Sequence, residues 1–419
     1  MLSQIFSGIA LGIALLQDVI LKKSLEGSDF QILLLSFLVC SAFLVSIYGA
    51  EIINRSANRS QTIIRMGLAS KVFFLLIPLF DDPVFYIACI ALSAYIDSML
   101  LSSWNIVFKH NYREEKRSRL FSYASSLQTV MILVSSTIFG YFLDKNDSLY
   151  KLFFPAGGIL GMLTYYNLAK MIALSMDDHK AAEISPVKSY SFKLLKDIII
   201  LPARNITRIF QNDKDYLRFE AYFFLYGMAF MVISPAIPIY LVDYLKMDYT
   251  QISFARGFVF HSALILFTPL MGKYHGHGNP TRFCGIVFII IVFYPLLLIA
   301  ANYTGNFTSI SGGAGVVYLA SFIFGIGMSG VTIAWALSSI YYAPRYQEAN
   351  YQAVHITLTG LRGLFSPVLG YAVMKIFAIE YTFVLSAMLF LSGGLLMLRE
   401  SKIKKRSGAL ATERRESIE

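Results

Sequence analysis

The chain has 419 residues, 56% hydrophobic and 15% charged, with a formal net charge of +10. Soluble globular proteins carry about 25% charged residues, and a mean hydropathy of +0.59 excludes that class in favour of a polytopic membrane protein. The surplus of Lys and Arg lies between apolar runs, where it reads as a topology signal and not as a surface for nucleic acid.

A helix rises about 1.5 Å per residue, so a membrane span needs about 20 apolar residues. Twelve runs qualify, numbered here spans 1 to 12: about 3–21, 29–50, 62–80, 83–108, 119–143, 152–174, 217–241, 250–272, 281–301, 314–342, 348–376 and 379–399. The first run lacks a basic leader and passes straight into the second, so no cleavable signal peptide is expected. Most junctions are short and polar, such as Asp81-Asp82-Pro83. The long charged stretch 175–216 divides the spans six and six. The expected fold is therefore all-α, with two six-helix bundles at 1–174 and 217–400, a central loop at 175–216 and a tail at 401–419. Within the central loop, 192–210 is amphipathic in two pieces broken at Pro202, which suits a helix lying on the membrane surface.

Loop charge gives the orientation. Arg55, Arg59, Arg65, Lys109, Arg113, Lys116, Arg117, Arg119, Lys273, Arg282, Arg345, the central loop and the tail share one side. Lys22, Lys23, Lys145, Lys151, Lys246 and Lys375 lie on the other among acids. By the positive-inside rule the basic side and both termini are cytoplasmic.

Ionisable groups inside spans are costly, at about 2.5 to 3.5 kcal/mol each on insertion scales, and so are functional candidates. Lys71 on span 3 and Asp97 on span 4 reach the same depth. Either they neutralise one another, or Asp97 titrates as a proton-coupling carboxylate. Span 11 carries Tyr351, His355, Thr359, Arg362 and Ser366 on one helical stripe, with Gly360, Gly363, Pro367 and Gly370 on the next. Small residues let helices approach closely in lipid. Arg256 on span 8 shares a depth with Arg362, and Asp18 on span 1 lies there too. The two arginines either clamp one anion through planar guanidinium groups, or they are spent on a salt bridge to Asp18 and on carbonyls. His261 and His355 serve as proton relays or as neutral buried histidines. Tyr226 and Trp335 are candidates for a largely apolar site with a few polar groups. Glu220, at the start of span 7, reads as solvated or paired at the surface. No phosphate-binding loop is present, His275 and His277 lack further metal ligands, and the three cysteines form no disulfide framework, so no enzyme activity, metal or other cofactor is expected.

The loop after span 2 runs Gly49-Ala50-Glu51-Ile52-Ile53-Asn54-Arg55-Ser56-Ala57-Asn58-Arg59, and the loop after span 8 begins at Gly272. Together with twelve spans in two sixes, this resembles the major facilitator superfamily. Its signature has Gly, then Asp-Arg, then Gly-Arg-Arg. Gly49, Arg55 and Arg59 fit it, whereas Asn54 stands for Asp and Ala57 for Gly. The resemblance implies two domains rocking about a central site, with Gly49, Asn54, Arg55, Arg59 and Gly272 as gating-loop candidates. The expectation is a monomeric secondary transporter in a bacterial cytoplasmic membrane, in contact with lipid, a small-molecule substrate and protons. An organic anion is the favoured substrate. Efflux of amphipathic compounds and a non-transporting sensor are the alternatives.

Overall fold

The computed structural model describes residues 1–56, 58–111, 114–173, 206–276, 279–304, 312–344 and 348–416. The amphipathic stretch 192–210 therefore lies mostly outside the described residues, as do Ala57 and His277. Among the described residues the fold is all-helical, with twelve helical segments that correspond to the twelve expected spans. Ten are long and apolar enough to cross a membrane, from Leu2–Lys23 and Arg59–Leu79 to Tyr351–Ile376 and Ile379–Ile403. The other two are span 2, whose apolar part is Asp29–Val45, and span 6, Tyr150–Ala173, which is diluted by polar residues.

Local chemistry sets the helix starts. Ser28 and Gln31 form a capping box at span 2, and Asp248 and Gln251 form another at span 8. Such boxes satisfy backbone amides that a helix leaves unpaired. Span 12 runs on as one helix, Ile379–Glu416, well past the apolar limit near 399.

Helix neighbours repeat between halves. In the first half, span 1 packs on spans 5 and 6, span 3 on 4 and 6, and span 2 on 4. In the second, span 7 packs on 11 and 12, span 9 on 10 and 12, and span 8 on 10. The same adjacency six spans apart is the mark of a duplicated bundle.

Two seams join the halves. Span 11 packs on span 2, and spans 5 and 8 pack on each other. Glycines make both possible. A Cβ on Gly360 would lie 2.5 Å from the Leu44 amide, and one on Gly363 would lie 2.4 Å from the Cys40 carbonyl. At the other seam Gly140 faces Ser253 and Gly257 faces Ser136. Gly370 of the same stripe instead packs against Val232 of span 7.

Ion pairs between halves gather at the end opposite the basic loops. Lys22 meets Asp243 at 2.7 Å, Lys375 meets Asp29 at 2.7 Å, and Asp18 meets Arg256 at 2.9 Å. Asp144, at the end of span 5, accepts the amides of Tyr249 and Thr250 at 2.8 and 2.6 Å, which anchors the first turn of span 8. Among the described residues this conformer is closed at that end. In the loop just beyond span 3, Lys151 and then Tyr150 hold the Asp81 carboxyl below its usual range.

Candidate functional site

Span 7 and span 11 lie side by side, and each places a polar stripe toward the other. On span 7 the stripe is Tyr216, Glu220, Phe223 and Gly227; on span 11 it is Tyr351, His355, Thr359 and Arg362. The two spacings match, so the groups meet in pairs. The Tyr216 hydroxyl donates to the Tyr351 carbonyl at 2.7 Å. His355 Nδ1 lies 3.0 Å from both carboxylate oxygens of Glu220, and both side chains are buried. With Glu220 as a carboxylate, which only accepts, Nδ1 is the donor of this contact. Phe223 packs edge-on to the imidazole at 4.7 Å, and Trp335 of span 10 does so at 5.9 Å.

Arg362 is 4% exposed. Its guanidinium donates to the Phe223 carbonyl at 3.1 Å and to the Thr359 hydroxyl at 2.7 Å, and that hydroxyl donates to the His355 carbonyl at 3.0 Å. Gly227 makes the space: a Cβ there would lie 2.0 Å from the guanidinium carbon. Among the described residues no carboxylate touches Arg362, and its Nε has no partner. His355 Nε2 and the Ser366 hydroxyl are equally unpartnered. Residues 355, 362 and 366 share one helix face, so three buried polar atoms on one stripe have unspent hydrogen-bonding capacity. Buried polar groups are ordinarily paired.

The other predicted residues fall elsewhere. Arg256 sits in a π-helical turn, Phe254–Val259, and reaches across the seam so that one nitrogen bonds both oxygens of Asp18 at 2.9 and 3.0 Å. It shares no partner with Arg362. Lys71 and Asp97 do meet, and Asp97 also accepts from Ser70 at 2.6 Å and Tyr165 at 2.9 Å. Lys71, Asp97 and Tyr165 line a cavity of about 140 Å³ inside the first bundle, with Gln17, Ser93 and Thr164. Tyr226 stacks on Phe288 at 4.4 Å and is bonded to Met328, as a core residue would be. His261 is bonded to the Gly257 carbonyl at 2.8 Å.

Of the gating-loop candidates, Gly49 is helical and its missing Cβ admits Met99 of span 4. Arg59 opens span 3. The side chains of Asn54 and Arg55 lie outside the described ones. A Cβ on Gly272 would meet Ile333 at 3.7 Å, an ordinary van der Waals contact.

Of the two readings of Glu220, solvated or paired, the structure keeps the second: it is 2% exposed and bonded to His355, away from the surface. The signal lay in the matched spacing of the two stripes.

A family model for the Major Facilitator Superfamily matches residues 1–310. Solved structures of similar fold include the nucleoside transporter NupG, at 11% identity and TM-score 0.66, covering 95% of this chain and 98% of that one. The human organic anion transporter MFSD10 aligns at 11% identity and TM-score 0.63, covering 94% and 97%. The peptide transporter POT in complex with sulfate aligns at 14% identity and TM-score 0.70, covering 98% and 94%. No curated protein matches the sequence.

Proposed function

The chain belongs to the major facilitator superfamily, and from that premise we propose that this secondary transporter carries a small organic anion by alternating access, driven by the proton gradient. One observation supports the anion: among the described residues Arg362 is a buried guanidinium hydrogen-bonded only to a carbonyl and a hydroxyl, with Nε unspent. Glu220 balances the charge across the site but is bonded to His355, so the fork itself keeps unspent donor capacity, which a carboxylate or phosphate fills with parallel hydrogen bonds. Two fold neighbours are described with anions, an organic anion transporter and a peptide transporter with sulfate. At 11% and 14% identity they lend this reading analogy only.

The two bundles at 1–174 and 217–400 act as the moving bodies, with the central loop on the cytoplasmic side. With the basic loops cytoplasmic, the conformer described above is the one sealed from the outside. The seams at Gly360, Gly363, Gly140 and Gly257 and the outer ion pairs would part in the alternate state. The protein functions as a monomer in a bacterial cytoplasmic membrane. Ligand-induced thermal stabilisation against carboxylates, phosphates and sulfate tests the substrate class.

A further inference from the structure

A proton-driven transporter needs a group that gains and loses a proton while buried. Asp97 is poorly placed for this, because Lys71, Ser70 and Tyr165 already hold its carboxylate. His355 is differently placed. Its Nδ1–H is spent on Glu220, which leaves Nε2 as a bare acceptor, buried and unpartnered among the described residues.

Counting charge around it gives the consequence. Glu220 and Arg362 offset one another while the imidazole is neutral, and both are buried. One proton on Nε2 makes the stripe singly positive. One monovalent anion beside Arg362 then returns it to neutrality. Either charge alone would stay uncompensated in a low-dielectric setting, and both together would not.

We propose that His355, held by Glu220, is the proton-loading group of this transporter, and that its protonation and anion binding at Arg362 favour one another. This rests on the proton-driven reading above. The proton enters on Nε2 from water while Nδ1–H stays donated to Glu220, so the pair becomes imidazolium and carboxylate with no further transfer. Nε2–H is then a donor on the same face as Arg362 Nε, and an anion's oxygens can take both. Linkage makes the effect reciprocal: whatever the proton does for anion affinity, the anion does for proton affinity.

Other titratable groups surround the pair. Span 7 presents Tyr216 and Tyr226, span 9 Cys284, span 10 Tyr342, span 11 Tyr351 and Arg362, and span 2 Cys40 beside Arg362. Asp213 bonds the Tyr351 hydroxyl, and Arg218 and Glu400 bond each other further along. Tyrosine and cysteine ordinarily titrate near 10 and 8.5, and arginine above 12. Histidine is the side chain that ordinarily changes charge near neutral pH.

The sequence supplies the probe. There are two tryptophans, Trp104 and Trp335, and Trp335 lies edge-on to His355 at 5.9 Å. In purified Trp104→Phe protein the remaining emission therefore reports the charge on the neighbouring imidazole. The expected result is a one-proton transition in Trp335 emission as the pH is lowered. It should vanish in His355→Gln, and its midpoint should move by a pH unit or more in Glu220→Gln. Arg362→Gln, or Arg362→Met where Gln does not fold, should move the midpoint as well, because the shared field loses a charge. None of these readings needs the substrate, so a failed search for an anion leaves them standing. A flat emission profile with native His355 overturns the proton-loading role. A transition that His355→Gln retains does the same. A midpoint unmoved in a folded Arg362 variant overturns the coupling to the anion site.

Discussion

Arg256 and Asp18 join the two halves through one guanidinium nitrogen that bonds both carboxylate oxygens, at 2.9 and 3.0 Å. Both side chains are mostly buried, at 24% and 18% exposure, so solvent screens the pair less than a surface one. In the proposed alternating-access cycle this contact would part when the outer end opens. Asp18→Asn should therefore raise the open population by a factor of about five, or about 1 kcal/mol. A cysteine at Ser253, buried in the seam against Gly140, should then react faster with a thiol reagent. Equal reaction rates with and without Asp18→Asn would show that the pair does not hold the gate.

Lys71 and Asp97 are paired inside one bundle, so their loss should affect folding and not gating. Asp97→Asn leaves an ammonium that is 10% exposed without its counter-charge. We expect a loss of about 3 kcal/mol, at the low end for a broken buried pair because Asp97 is 31% exposed. Lys71→Met combined with Asp97→Asn should recover much of it. Thermal unfolding in detergent measures all four proteins, and equal midpoints would remove the pair from the stability argument.

The glycines divide into those a Cβ would disturb and those it would not. Gly363→Ala places a methyl 2.4 Å from the Cys40 carbonyl and should open the seam between spans 11 and 2. Gly272→Ala meets nothing nearer than 3.7 Å and should stay within about 0.5 kcal/mol of the parent. Hydrogen exchange at the outer half of span 2 should rise for Gly363→Ala alone. A similar rise for both variants would show that contact distance does not govern the seam.

Orientation has its own test. A cysteine at Ser148, exposed between spans 5 and 6, should react with an impermeant thiol reagent added to intact cells. One at Asn58, exposed between spans 2 and 3, should not. The reverse pattern would place the basic loops outside.

Hydropathy made most of the spans legible: ten of the twelve expected runs are described helices long and apolar enough to cross a membrane, while spans 2 and 6 fall short by length or composition. Depth was legible too: rise per residue set Lys71 level with Asp97, and the structure pairs them. Rotation about the helix axis was not. Rise per residue put Arg256 and Arg362 at one depth, yet Arg256, in the π turn of span 8, bonds Asp18, while Arg362 fills the space that Gly227 leaves on span 7. Glu220 escaped for a related reason. It lies near a helix start, where water is the default partner, and only the matching stripe on span 11 buries it. The signature glycine Gly49 matched by sequence position, but its observed contact is the packing of span 2 on span 4.

The anion proposal rests on Arg362, and ligand-induced thermal stabilisation of purified wild type and Arg362→Lys tests it most directly. Lysine keeps the charge but loses the planar fork, and Thr359 and Phe223 can each hold an ammonium in place of the guanidinium. With carboxylates, phosphates and sulfate as ligands, a member of the panel should stabilise wild type. Its affinity for Arg362→Lys should be at least tenfold weaker, about 1.4 kcal/mol, while the unliganded variant unfolds at a similar temperature. A neutral or cationic ligand stabilising wild type in place of the anions would contradict the proposal, as would an anion that stabilises both proteins equally.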